Sequence, residues 1–168
     1  MTVAALNSLP LQELQEALRR CCGATAWVAG MCARFPVKDA ETLFSAASAI
    51  WRNCTEADWK EAFAHHPQIG DLSALREKFA ATAQWAAGEQ SAVQQADEAT
   101  LQALAAGNRQ YLEKFGYIFI VCATGKPAAD MLQQLQERLP HTPQQEIRIA
   151  MQEQEKITKL RLEKLLTP

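Results

Sequence analysis

A chain of 168 residues with 48% hydrophobic and 21% charged side chains is long enough to pack one core and too apolar to be disordered. Its 17 basic and 19 acidic residues leave a net charge of -2, so no electrostatic surplus argues for a nucleic-acid partner. No apolar run reaches bilayer length and the first residues lack a signal peptide's basic and apolar regions, so a cytoplasmic protein with no membrane partner is expected. The five cysteines, Cys21, Cys22, Cys32, Cys54 and Cys122, sit mostly among small apolar neighbours at spacings unlike a zinc site or a redox motif, and read as reduced core thiols.

In chain order, Ser8-Leu9-Pro10 signals entry into a helix with the stripe Leu11, Leu14, Leu18. After Gly23, the stretch from Ala26 to Arg34 reads as a second helix that ends before Pro36. A third covers about Asp39 to Asn53, with Leu43, Ala46, Ala47 and Ile50 at helical spacing. Thr55-Glu56-Ala57-Asp58 resembles a capping box and opens a short helix carrying Trp59 and Phe63. Pro67 and Gly70 stop that helix, and Asp71 can cap another from Leu72 to Ala80. A break near Gly88 precedes a glutamine-rich amphipathic stretch leading into a helix through Leu101, Leu104, Tyr111 and Leu112.

The run Phe115-Gly116-Tyr117-Ile118-Phe119-Ile120-Val121-Cys122-Ala123 would pass for a buried strand if taken alone. No second convincing strand exists to pair with it, so an extended segment or helical turn buried among helices is expected. Thr124-Gly125-Lys126-Pro127 ends it, and a helix follows from about Pro127 to Leu139. Thr142-Pro143-Gln144-Gln145 opens the last helix with a cap, proline at the first position and glutamine at the third. The expected fold is all-α, a single-domain helical bundle of about eight helices over residues 1–168.

Two residues are costly enough to suggest chemistry. Along the last helix, Ile147, Ala150, Ile157, Arg161 and Leu165 share a stripe at about 100° per residue. An arginine there either snorkels over the core or aims its guanidinium fork at a carboxylate or a carbonyl-rich ring, since an unpaired buried charge is costly. His66 precedes proline, which drives it out of the α region, and Gly70 permits a sharp turn soon after. That corner can hold an imidazole in a pocket, though a lone histidine is more often a hydrogen-bonded structural residue; His65 should point elsewhere. Glu89-Gln90, in a stretch of alanine and small polar residues, has the composition of a solvated surface. No HExxH, GxSxG or glycine-rich phosphate loop is present.

At these positions the sequence resembles the 2-oxo-4-hydroxy-4-carboxy-5-ureidoimidazoline (OHCU) decarboxylase family. The resemblance rests on His66-Pro67-x-x-Gly70, Glu89-Gln90, the run Phe115–Ala123 and Leu160-Arg161-Leu162, which occur in the family's order and span most of the chain. It implies an all-helical fold and formation of (S)-allantoin by decarboxylation of a small ureidoimidazoline, the last enzymatic step from urate. It further implies catalysis without metal or organic cofactor, usually in a homodimer. On this resemblance His66 and Glu89 are the catalytic pair, with Glu89 holding the imidazole's active tautomer and raising its pKa. Pro67, Gln90 and Arg161 match substrate-contacting positions, and Phe119, Ile120, Val121, Cys122 and Ala123 match a segment whose backbone lines the ligand.

Two departures stand out. Ala86 replaces a serine common in the family three residues before the glutamate, and Arg34-Phe35-Pro36 stands where many members have Arg-Pro-Phe. No transthyretin-like domain or peroxisomal tail is seen, so a stand-alone bacterial-type enzyme is expected. The alternatives are a non-catalytic helical interaction module and a histidine-dependent metallohydrolase.

Overall fold

The computed structural model describes residues 1–67, 72–83 and 90–167, and side-chain surroundings for all of these except 80–83 and 90–97. Among the described residues every regular element is a helix: α1 (Val3–Asn7), α2 (Leu11–Cys21), α3 (Thr25–Cys32), α4 (Ala40–Arg52), α5 (Glu56–Ala64), α6 (Leu72–Ala83), α7 (Gln90–Phe115), α8 (Ala128–Arg138) and α9 (Pro143–Leu166). The all-α expectation holds. The helix that the sequence reading did not separate is α1, a short element that Thr2 starts by accepting from the Ala5 amide and that the fully buried Leu6 anchors. No described helix is long and apolar enough to cross a membrane.

The chain divides into two compact units, one of residues 1–66 and 151–168, the other of residues 67–150. Helix α9 contributes its first turns to the second unit and the rest to the first.

In the first unit, α3 packs against α2, α4 and α5. Three indoles tie helices together, Trp27 and Trp51 buried and Trp59 half-buried, and the N–H of each finds a backbone carbonyl. Trp27 donates to the Ala47 carbonyl, Trp51 to that of Met151 and Trp59 to that of Trp51. Leu6, Leu18, Met31, Leu43, Phe63 and Leu162 complete a core almost without solvent contact. The helix starts follow the expected chemistry. Asp39 caps α4 through the Thr42 amide, and Thr55 and Asp58 form a reciprocal capping box on α5. Glu61 on α5 accepts from the backbone and hydroxyl of Thr25, placing a carboxylate at the start of α3. Asn7 clasps Val37 through both of its amide groups, steadying the loop with the cis Phe35–Pro36 bond.

In the second unit, α7 packs against α6 and α8. The approach to α8 is close at Gly107, where a Cβ would run into the Leu135 side chain. Gly116, at φ +80°, terminates α7 in a left-handed conformation that only glycine adopts without strain. Residues 116–127 then cross the unit without regular structure, and Tyr117, Ile120 and Val121 are buried in its core. The expected non-strand reading of this run stands. Thr142 and Gln145 exchange backbone and side-chain hydrogen bonds at the start of α9, the expected capping box.

Candidate active site

In the first unit the geometry gathers around the end of α5. The helix stops at Ala64, and the amides of His65 and His66 turn back to the Ala62 and Phe63 carbonyls. The two imidazoles then part, as expected. The His65 ring lies so close to Gly23 that a Cβ there would collide with it. The His66 ring turns to α9, where its Nε2 lies 2.5 Å from Gln154 Oε1. Gln154 donates through Nε2 to Thr158 Oγ1 at 3.1 Å, and the Thr158 hydroxyl also bonds the Cys22 thiol. Gln154, Thr158 and Cys22 are all buried, so a polar chain of four side chains runs from a half-buried histidine into the core.

Arg161 stands one turn beyond Thr158. Its Nη1 reaches the Arg20 and Cys21 carbonyls, each at 3.4 Å, which belong to the last turn of α2 and have no partner within that helix. Among the described residues no carboxylate pairs with it. Its charge is felt by His66, Cys21 and Cys22 alike. The guanidinium is half-buried and anchored by one nitrogen to a helix end.

The expected stripe along α9 holds at Ile147 and Ala150 and is off by one position beyond them. The buried face carries Ile147, Ala150, Gln154, Thr158 and Leu162, while Ile157, Arg161 and Leu165 are half-buried. The true face holds two polar residues that satisfy each other and their neighbours, so hydropathy alone selects the adjacent stripe.

The electrostatics run opposite to the expected upward shift at His66. Burial, foremost, lowers its pKa below the usual 6.5, the Gln154 bond opposes this, and the Arg161 and His65 charges add to the lowering. Glu89, the residue expected to raise it, lies outside the described residues, as do Ala86 and Gly70. Burial also pushes the Cys21 thiol up to about 11 and that of Cys22 to about 12, consistent with core thiols rather than nucleophiles.

In the second unit, Pro67 is exposed directly after His66, and Gln90 opens α7. Phe119, Ile120, Val121, Cys122 and Ala123 run together through the non-helical crossing. Arg138, which the sequence reading passed over, holds this segment. Its Nη1 donates to the Ile120 carbonyl at 2.6 Å and its guanidinium lies 4.5 Å over the Phe119 ring. A buried carbonyl without a helical partner needs such a donor. Glu146, fully buried, neutralises the charge: it accepts from Arg138 Nε at 2.6 Å and from the Tyr111 hydroxyl at 2.5 Å, and its other oxygen lies 3.0 Å from His141 Nδ1. The signal was present in α8, where Met131, Leu135 and Arg138 share one stripe.

Elsewhere, a cleft of about 760 Å³ opens beside α4 and α9 in the first unit, lined by residues such as Phe44, Trp51, Arg52 and Lys159. It contains none of the sequence-predicted site residues. Among the described residues, no three His, Cys, Asp or Glu side chains gather as a metal site would require.

Comparison with known proteins agrees with this fold. A solved structure described as OHCU decarboxylase in the presence of (S)-allantoin superposes with a TM-score of 0.72 at 37% identity, covering 92% of this chain and 99% of that one. The uric acid degradation bifunctional protein TTL of Arabidopsis thaliana is 38% identical over 88% of this chain, which spans only 45% of that protein's length. An OHCU decarboxylase of Halalkalicoccus jeotgali is 24% identical over 100% of this chain and 93% of its own. The profile of the family described as OHCU decarboxylase matches residues 7–163, a span that takes in every sequence-predicted site residue, and the chain therefore belongs to the OHCU decarboxylase family.

Proposed function

We propose that this chain decarboxylates 2-oxo-4-hydroxy-4-carboxy-5-ureidoimidazoline to (S)-allantoin, as the last enzymatic step of urate degradation. The observation that carries the proposal is His66, matched to the family's motif and held at the end of α5 by Gln154, with the Arg161 charge acting on it. Residues 1–168 are a single decarboxylase domain in this proposal, a reading supported by the family match over residues 7–163. The protein works in the cytoplasm as a homodimer on a small ureidoimidazoline, with neither metal nor organic cofactor.

The substrate suits such a site because it is its own electron sink. The carbon–carboxylate bond breaks, carbon dioxide leaves, and the electron pair enters the adjacent ring C=N, whose nitrogen takes up from solvent the one proton that the reaction consumes. The resulting enol loses its hydroxyl proton to become the ring carbonyl, while the carbon bearing the ureido group gains a proton on one face. The protein must orient the carboxylate, stabilise developing negative charge and deliver that proton to a single face. Arg161 anchors the anionic substrate with nitrogens not engaged at α2, and backbone amides of Phe119–Ala123 face the developing oxyanion. His66 is the proton-transfer group and Glu89 its catalytic carboxylate. Gln90 reads the ureido or ring amide edge by paired hydrogen bonds, and Pro67 bounds the ligand beside His66.

The test supplies freshly generated urate-oxidation product and follows circular dichroism. One enantiomer of allantoin should accumulate, and His66→Asn should cut turnover by about 10²–10⁴-fold with the helical spectrum unchanged. Racemic product at the spontaneous rate with the native protein would overturn the proposal, and wild-type turnover by His66→Asn would remove His66 from it.

A further inference from the structure

We infer that Gln154 is a positioning residue that fixes His66 in its Nε2–H tautomer, so that Nδ1 is the nitrogen that exchanges protons with substrate. The inference rests on the catalytic role proposed for His66, and it moves the tautomer-setting task from Glu89 to a residue on α9.

The hydrogen bonds carry it. A side-chain amide can present either an acceptor or a donor to an imidazole, and its other end shows which. The Thr158 hydroxyl spends its own proton on the Cys22 sulfur, so its oxygen accepts from Gln154 Nε2, which turns the carbonyl oxygen Oε1 to His66 Nε2. An amide oxygen only accepts, so Nε2 must carry a proton. A histidine that cycles between neutral and imidazolium forms needs a partner that suits both. The Gln154 oxygen accepts from Nε2–H in either state, whereas an NH₂ group at that position would oppose a second donor once the ring was charged. The Thr158 hydroxyl and the Cys22 thiol hold the amide in this orientation from behind, within the core.

The groups acting on the ring fit a neutral resting state. Burial and the Arg161 and His65 charges all disfavour imidazolium, and the Gln154 bond is the opposing influence. Resting His66 thus presents an unprotonated Nδ1. It first accepts the hydroxyl proton as the enol collapses to the carbonyl, and the same Nδ1–H then protonates the adjacent carbon. The ring ends neutral, and no external acid or base is consumed in this half of the reaction.

The test is ¹⁵N-edited NMR of the histidine imidazoles in the full-length protein, with His66 assigned from the signals lost in His66→Asn. The expected wild-type spectrum at neutral pH shows His66 protonated at Nε2. Gln154→Met should release the tautomer into a mixture and lower kcat by about tenfold with a smaller change in KM. Gln154→Glu, still acceptor-only, should keep the Nε2–H form and move the acid limb of the kcat profile to higher pH, because an adjacent carboxylate favours imidazolium. A wild-type Nδ1–H tautomer would overturn the inference, as would a Gln154→Met protein whose tautomer and pH profile match wild type. The spectra need no turnover, so loss of the decarboxylase assignment would appear separately, as racemic product at the spontaneous rate with the native protein, and loss of the His66 role as wild-type activity in His66→Asn.

Discussion

Arg161 serves two tasks with one side chain, and the split between its nitrogens makes the tasks separable. Nη1 sits on the Arg20 and Cys21 carbonyls at the C-terminus of α2, where a cation is worth about 0.3–1 kcal/mol. Among the described residues all of its hydrogen bonds come from that nitrogen, leaving a planar edge for a carboxylate or ring carbonyl. Lysine can supply one ammonium to either place but not to both in the same geometry. Arg161→Lys should therefore lower the thermal midpoint only slightly while kcat/KM falls at least about tenfold. Steady-state kinetics beside a melting curve checks this. Unchanged kinetics with a lower midpoint would make Arg161 a helix anchor alone. Residues of this kind are legible in a sequence because burying their charge is expensive. Gln154 was not: an amide on a buried face carries no comparable warning, and its meaning depends on Thr158 and on a histidine 88 positions away.

At the scale of elements, the crossing segment after Gly116 shows how a non-helical run survives inside a helical unit. Its apolar side chains fill the core, which the sequence made plain. Its backbone carbonyls need donors, and for Ile120 the donor is Arg138, 18 residues further on. Such a partner is invisible to local pattern, although the placement of Arg138 on the Met131–Leu135 stripe hinted that a buried charge awaited neutralisation. Glu146 supplies it, with the Tyr111 hydroxyl and the His141 ring on the same carboxylate. Removing Arg138 alone strands a carboxylate with no solvent access, and breaking such a pair costs about 3–5 kcal/mol. Arg138→Met should fall in that range in urea titration, and adding Glu146→Gln should recover a large part of the loss because no buried charge then remains. The double variant should still turn over slowly, since the Ile120 carbonyl has lost its tether and the backbone of 119–123 its fixed position. Full activity in a stable double variant would show that this segment does not need to be held for catalysis.

At the scale of the whole molecule, helix boundaries were the most legible feature, because caps are local chemistry. Asp39, the Thr55–Asp58 box and the Thr142–Gln145 box all act where their sequence signatures placed them. The division into two units was not legible, since no glycine- or proline-rich linker marks it. The boundary instead falls inside α9, between Ala150 and Met151. Helix propagation is cooperative, so melting one half of a continuous helix frays the other. The two units should therefore unfold as one cooperative body despite their separate cores. Calorimetry on the intact chain should give a single transition with a calorimetric-to-van't Hoff enthalpy ratio of about one. A glycine pair at two exposed positions, Arg148→Gly with Gln152→Gly, weakens α9 on either side of the junction. It should broaden or divide that transition, because each glycine disfavours the helix by about 1 kcal/mol. Two resolved transitions in the unmodified protein would mean that the shared helix does not couple the units, and that residues 1–168 are not a single folding domain.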